Sequence, residues 1–326
     1  MASGFKKILV TGANGQLGRA FARLFSTETP ETLGTLTPKN LSSVFPDLVF
    51  TDVQGDNGCN LADAADLQRL LNDVQPDLII NPAAYTAVDR AETEEVVAHA
   101  VNALAPGIMA RWAREHNAAM IHYSTDYVFD GSGTKPWCES DRTGPVSVYG
   151  KTKLAGENAV RESGVRGAIF RTSWVYSDEG TNFIKTMLRL GAEREELRVV
   201  ADQIGVPTSA HFLARMSWQA LMRGGFTRSD QESTEACRLY HLVPRGEMSW
   251  HGFAEEIFAR ARAAGITLKV ERVVPIATSE YPTPARRPLN SRLDCSRFET
   301  DFGLNLDPWQ LDFEEAMSRI LMPKPH

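Results

Sequence analysis

Cysteine is scarce in this chain: four residues in 326, Cys59, Cys138, Cys237 and Cys295, far apart and with no Cys-x-x-Cys pair. That spacing argues against a disulfide framework or a zinc knuckle and makes reduced thiols the expectation. Long apolar runs are missing too, and Met1 to Lys7 lacks the apolar stretch of an export signal. A soluble cytoplasmic protein, neither exported nor membrane-spanning, is expected. Nor is there an excess of basic residues: 35 Lys and Arg stand against 41 Asp and Glu, a net charge of −6. A general nucleic-acid or anionic-membrane binder needs a cationic surface, so both classes are excluded, although a local basic pocket for a small phosphate-bearing ligand is not. The seven histidines show no metal-ligand spacing, and no internal repeat or low-complexity tract occurs. With 43% hydrophobic residues the chain has enough apolar material for one large or two modest domains.

The first half alternates two textures. Lys7 to Thr11, Asp47 to Asp52, Asp77 to Asn81, Met120 to Ser124 and Ala168 to Thr172 are short apolar runs that read as strands. Between them lie stretches of helical spacing: Gln16 to Phe25, Ala62 to Val74, a long one from Ala91 to His116, and one around Tyr149 to Arg161. Such alternation predicts an α/β fold, a doubly wound parallel sheet with right-handed crossovers. The Thr-, Ser- and Pro-rich segment Ser26 to Pro46 interrupts the rhythm and reads as a surface insertion. After about Trp174, proline-bearing segments join shorter elements, which predicts a dinucleotide-binding domain over 1–175 and a smaller, mainly substrate-binding domain over 176–326. Residues 238–243 look like a strand that returns to the main sheet.

Gly12-Ala13-Asn14-Gly15-Gln16-Leu17-Gly18 joins the first strand to the first helix with the spacing G-x-x-G-x-x-G. The first glycine suits a tight turn, the second allows close approach of a pyrophosphate, and the third lets helix and strand pack closely. The free N–H groups of the helix start then face the anion. Asp52, at the end of the second strand, is placed to bond the adenosine ribose, the insertion accounting for its distance from the glycines. A carboxylate there repels a ribose 2′-phosphate, which favours NADH or dual use over strict NADPH dependence.

Tyr149-Gly150-Lys151-Thr152-Lys153 places a phenol and an ammonium four residues apart on one helix face. An adjacent cation favours the phenolate, so Lys153 is expected to lower the Tyr149 pKa and fit the phenol for proton exchange. Ser124-Thr125-Asp126-Tyr127 leaves the fourth strand at its carboxyl end, where ligands sit in such sheets, and supplies a hydroxyl within reach of Tyr149.

Together these features resemble an extended short-chain dehydrogenase/reductase. The strings STDYVFDG, VYGKTKLAGE, FRTSWVY, NFIKTMLRL, YHLV and YPTPARRP are similar to the dTDP-4-dehydrorhamnose reductase family. The resemblance runs from about Ile8 to Trp309, apart from the insertion. It implies reduction of the C4 ketone of dTDP-4-dehydro-L-rhamnose by NADPH or NADH. It also implies roles: Tyr149 as proton donor, Lys153 on the nicotinamide ribose, and Thr125 on the ketone oxygen or on Tyr149. Asp126 would contact the sugar and Trp174 would line the sugar-nucleotide pocket. Gly15, Gln16 and Leu17 would hold the pyrophosphate, with Gly12 making the turn. Asn60 and Leu61 would lie at the adenine, and Ala84, Tyr85, Thr86 and Tyr123 would contact the cofactor. The substrate diphosphate needs a cation, for which Arg286, Arg287 and Arg292 are candidates, Arg287 foremost.

Two departures and two rivals complete the reading. Some family members bind Mg²⁺ at a homodimer interface through glutamates; Ala20 and His211 stand at the corresponding positions, and neither offers a hard oxygen donor. No structural metal, and a monomer or weak homodimer, are therefore expected. A sugar-nucleotide dehydratase or epimerase is the nearest enzymatic rival; in a dehydratase a second carboxylate would follow Thr125-Asp126, where this chain has Tyr127. A non-catalytic rival is a cofactor-binding subunit like the regulatory subunit of methionine adenosyltransferase, which resembles the same family and can keep Tyr-x-x-x-Lys. Intact Trp174 and the Arg286-Arg287 turn favour the reductase.

Overall fold

Alternate residues of each short apolar run face opposite sides of one sheet, and both sides are covered. Ile8, Val10, Ile80, Ile121 and Phe170 belong to one buried cluster, and Leu9, Ile79, Met120, Ile169 and Leu239 to another. Burying such a side chain contributes roughly 1.5–3 kcal/mol, so two-sided burial holds the strands in the middle of the layer. The computed structural model describes residues 5–27, 47–54, 57–224 and 236–322. Apart from Ser26 and Thr27, the expected insertion lies outside the described residues.

The sheet contains β1 (Lys7–Val10), β2 (Asp47–Phe50), β3 (Leu78–Asn81), β4 (Ala119–Thr125), β5 (Arg166–Thr172) and β10 (Cys237–His241), in the order β10-β5-β4-β3-β1-β2. Every pairing is parallel. The chain runs outward from β1 to β2, then crosses back to β3 on the other side of β1. That reversal opens a crevice beyond the carboxyl ends of β1 and β3, the place where such sheets bind ligands. The returning strand begins at Cys237 and pairs with β5 from Cys237↔Gly167 to His241↔Arg171.

The long helical stretch expected over Ala91 to His116 is not one helix. It comprises Val88–Ala91, Glu95–His99, a π-helical turn Ala100–Leu104, and Ala105–Glu115. Pro106 explains the widened turn, because a proline has no N–H to give the carbonyl four residues back, that of Asn102. The freed Asn102 carbonyl sits where a Cβ on Gly156 would be, 2.1 Å from it, so only glycine lets the helix Val148–Glu162 pack against this turn.

A further apolar cluster lies outside the sheet layers. It joins Val128 and Phe129 to Tyr176, Ile184, Val206, Phe253, Phe258 and Phe313, mostly from the C-terminal half. Short ribbons frame it: β6 (Val175–Tyr176) with β9 (Thr208–Ser209), β7 (Glu196–Val200) with β12 (Arg272–Ile276), and β8 (Ile204–Gly205) with β11 (Met248–Ser249). Among the described residues no helix is long and apolar enough to cross a membrane.

Candidate active site

A cleft of about 690 Å³ opens at the crevice between β1 and β3. One rim is the glycine turn. Gly12 has φ +61°, and a Cβ there would lie 2.9 Å from the Ala83 Cα, so the turn and the β3 exit approach too closely for any side chain. A Cβ on Gly18 would meet the Gly12 carbonyl at 2.1 Å, which presses the helix Gln16–Thr27 against the strand end. Ala13 N–H donates to the Thr51 carbonyl (3.0 Å) and Gly15 N–H to the Gly12 carbonyl (2.9 Å). Gln16, Leu17 and Gly18 line the cleft, so the first turn of the helix offers its N–H groups and positive dipole end there. Asp52 lines it too and accepts from Asn14 N–H at 2.9 Å and Val53 N–H at 2.7 Å. Asn60, Leu61, Ala84, Tyr85 and Thr86 complete this rim. A turn closed to an added Cβ at Gly12 and Gly18, next to a helix start, fits the close approach of a dinucleotide's pyrophosphate.

On the deep side, Ser147 caps the helix Val148–Glu162 by accepting from Gly150 N–H at 3.2 Å. Tyr149 and Lys153 both line the cleft, one turn apart on the same helix face. Lys153 is buried, and its Nζ donates to the Tyr123 carbonyl at 2.6 Å. Burial lowers its pKa to about 8, against the opposing pull of Glu157. The expectation that Lys153 acidifies Tyr149 is corrected here. Burial pushes the phenol well above its ordinary value, a hydrogen bond with Thr125 works the other way, and the charge of Asp126 adds to the rise. Tyr149 is therefore a protonated phenol at neutral pH, the form that a proton donor requires. Tyr127 packs edge-on to its ring at 5.4 Å. Tyr123 also lines the cleft, but its hydroxyl turns into the core and donates to Ser217 at 2.7 Å.

The far rim is built from distant segments. Asp126 is buried; its carboxylate accepts from Thr125 Oγ1 (3.0 Å) and Ser291 Oγ (2.5 Å), and burial raises its pKa to about 6. Trp174 lines the cleft in a left-handed conformation (φ 49°), stacked on Trp250 with ring centroids 3.7 Å apart. Gln16 Oε1 accepts from Asn182 Nδ2 at 3.3 Å, tying the two rims together. Of the predicted site residues, the three candidate arginines Arg286, Arg287 and Arg292 do not line the cleft, whereas the others do. Arg287 is committed to Asp89 (2.7 Å) and to Thr283, while Arg292 pairs with Glu247 (2.5 Å) beside a separate, smaller cavity. A proline-bracketed Arg-Arg pair reveals nothing of an acid almost two hundred positions away. Ala20 is buried, and His211 bonds Asp178 at 3.0 Å.

Several residues at the site escaped the sequence reading. Asn102, on the π turn, accepts from Tyr85 N–H (2.8 Å) and donates to the Tyr85 carbonyl and to Thr152 Oγ1 (both 3.1 Å). It thus pins the loop after β3 to the helix that carries Tyr149. Ser124, Thr172 and Ser173 line the cleft as buried hydroxyls with no protein partner among the described residues. Unsatisfied buried hydroxyls are costly unless a ligand or water completes them, so this floor suits a polar group of a bound molecule. Pro106 was the available signal for Asn102; of the hydroxyls, Ser124 stands in the strand-exit run named from the sequence, and nothing local marked Thr172 and Ser173 as unpartnered.

A glycine turn at the switch point of a parallel sheet, facing a Thr-Tyr-Lys group across one cleft, defines a nicotinamide-dinucleotide oxidoreductase of the short-chain type. The comparisons narrow this class. The family model described as RmlD substrate binding domain matches residues 6–322. The dTDP-4-dehydrorhamnose reductase of Shigella flexneri is 42% identical over 313 residues, covering 96% of this chain and 97% of that protein. That of Burkholderia thailandensis is 42% identical over 306 residues, 93% of this chain and 95% of its own length. Among solved structures, a dTDP-4-dehydrorhamnose reductase from Clostridium acetobutylicum superposes with a TM-score of 0.82 at 35% identity, covering 97% of this chain and 100% of that one. One from Bacillus anthracis, in complex with NADP, gives a TM-score of 0.77 at 32% identity over 97% of this chain and 98% of its own. The chain belongs to the dTDP-4-dehydrorhamnose reductase family.

Proposed function

We propose that this chain reduces the C4 ketone of dTDP-4-dehydro-L-rhamnose to dTDP-L-rhamnose, with NADPH or NADH as reductant, and that Tyr149, Lys153 and Thr125 carry the chemistry. The observation behind the residue roles is that all three line one cleft with the glycine turn. The bound nicotinamide supplies a hydride to the carbonyl carbon. As negative charge grows on the ketone oxygen, Tyr149 donates its proton there, and Thr125 steadies the phenol by their mutual hydrogen bond. General acid catalysis of this kind is worth about 10²–10⁴-fold. Lys153 uses one N–H on Tyr123 and keeps the others for the nicotinamide ribose. Asp126 and Trp174 hold the sugar, and Gln16 and Leu17 the cofactor pyrophosphate. Asp52 is the adenosine-ribose contact and favours a free 2′-hydroxyl. Arg287 reaches the substrate diphosphate by exchanging Asp89 for a phosphate oxygen.

Incubation with authentic dTDP-4-dehydro-L-rhamnose and NADH or NADPH, followed by absorbance, tests the activity. Cofactor oxidation that depends on the sugar nucleotide is expected. Tight cofactor binding without oxidation would favour the regulatory-subunit reading instead.

A further inference from the structure

We propose that the buried Glu157–Arg171 ion pair is a positioning pair for Lys153: it sets the charge of that amine and fixes the helix bearing it against the opposite wall of the cleft. This rests on Lys153 being an active-site group, as read above.

Arg171 Nε and Nη2 donate to the two Glu157 carboxylate oxygens at 2.9 and 2.7 Å, with side chains 3% and 1% exposed. A pair this dry gains little net stability, because desolving two charges offsets their attraction, and apolar replacements are often as stable. Its placement shows what it does instead. Tyr149, Lys153 and Glu157 follow one another at four-residue steps, hence along one stripe of the helix. Arg171 is the β5 partner of Ser124 on β4, the residue before Thr125, and it leads directly into the cleft residues Thr172, Ser173 and Trp174. One bidentate contact therefore joins the helix carrying the proton donor to the strand forming the facing wall. Among the described residues Arg171 Nη1 has no hydrogen-bond partner, its guanidinium lies 5.0 Å from the Phe129 ring centroid, and its ion pair is with Glu157.

The electrostatics agree. From β4, Lys153 faces the Tyr123 carbonyl and His122, which burial holds neutral by pushing its pKa well down. Asp126 lies at the strand exit, and from β10 His241 faces Arg171 and is likewise kept neutral, near 3. From its own helix come Tyr149, protonated, and Glu157. Glu157 is the charge that opposes the burial of Lys153.

Competitive acylation of Lys153 in the full-length chain, quantified by peptide mass spectrometry across pH, reads the amine directly. With Glu157→Gln the midpoint is expected to fall by roughly one pH unit, and with Arg171→Met, which leaves Glu157 unneutralised, to rise. Unchanged midpoints, or shifts of the same sign, would overturn the proposal. If either single variant fails to fold, the double variant Glu157→Gln/Arg171→Met removes both buried charges. Its midpoint must fall, and a wild-type midpoint overturns the proposal equally. The assay uses no sugar substrate, so its failure is separable from failure of the reductase reading, which cofactor oxidation decides.

Discussion

The two rims of the cleft are built in different ways. The cofactor rim is mostly main chain: Ala13 to Thr51 and Gly15 to Gly12, with one side chain, the Asp52 carboxylate, accepting from Asn14 N–H. Its essential side chains are absent ones, at Gly12 and Gly18. The sugar rim is side chain and long-range: Asp126 with Ser291, 165 positions away, and Trp174 on Trp250. A backbone-built rim recognises what all dinucleotides share. Under the proposed roles, a rim assembled from remote side chains is the one that would choose the substrate. Damage to the first should therefore cost cofactor binding, damage to the second should cost sugar binding, and only the three residues between them should cost chemistry.

The largest expected effect tests that middle ground. Tyr149→Phe should lower kcat by about 10²–10⁴-fold while leaving the cofactor Kd within a factor of about two; equal losses in both would merge chemistry with the cofactor rim. Next, Gly12→Ala forces a Cβ against Ala83 in a left-handed turn, a strain of roughly 1–2 kcal/mol, and cofactor affinity by calorimetry should fall about tenfold or more. The sugar KM should move far less. Ser291→Ala leaves Asp126 short of a buried partner, a loss of about 1–3 kcal/mol. It should raise the sugar KM roughly tenfold with the cofactor KM unchanged, and a reversed pattern would break the comparison.

The pH dependence crosses both rims. Asp126, raised to about 6, is protonated on the acid side and, in the role proposed for it, would then lose its acceptor function toward the sugar. Lys153, lowered to about 8, loses its charge on the alkaline side. The kcat/KM profile should be a bell with limbs near 6 and near 8, and Asp126→Asn should remove the acid limb alone. The smallest effect belongs to Asp52→Asn, which should shift the NADPH-to-NADH ratio of kcat/KM toward NADPH by a few-fold. Removing one full negative charge at a solvent-facing site is worth roughly 1 kcal/mol.

What the sequence made legible follows the same division. The glycine turn and the Tyr149–Lys153 pair are each encoded within a few consecutive residues, and Asp52 marks the end of an apolar run, so local spacing suffices to place the turn and Asp52 at strand ends and the pair on one helix face. The sheet was equally plain, because two-sided burial requires uninterrupted apolar runs such as Lys7 to Val10. The π turn was missed because helical periodicity survives a single widened turn, although Pro106 announced it. The sense of the Tyr149 shift was missed because spacing gives proximity to Lys153 but not depth of burial. Ser291 and the Asp89 partner of Arg287 were beyond reach, since nothing near either residue in the chain points to its partner.

One isotope experiment bears most directly on the central claim. The chain is given dTDP-4-dehydro-L-rhamnose with NADH carrying deuterium at C4, each epimer in turn, and the sugar product is read by NMR. One epimer should deliver its deuterium to sugar C4, and Tyr149→Phe should suppress that transfer. Retention of deuterium on the nicotinamide from both epimers, or its arrival at any other sugar carbon, would contradict the account.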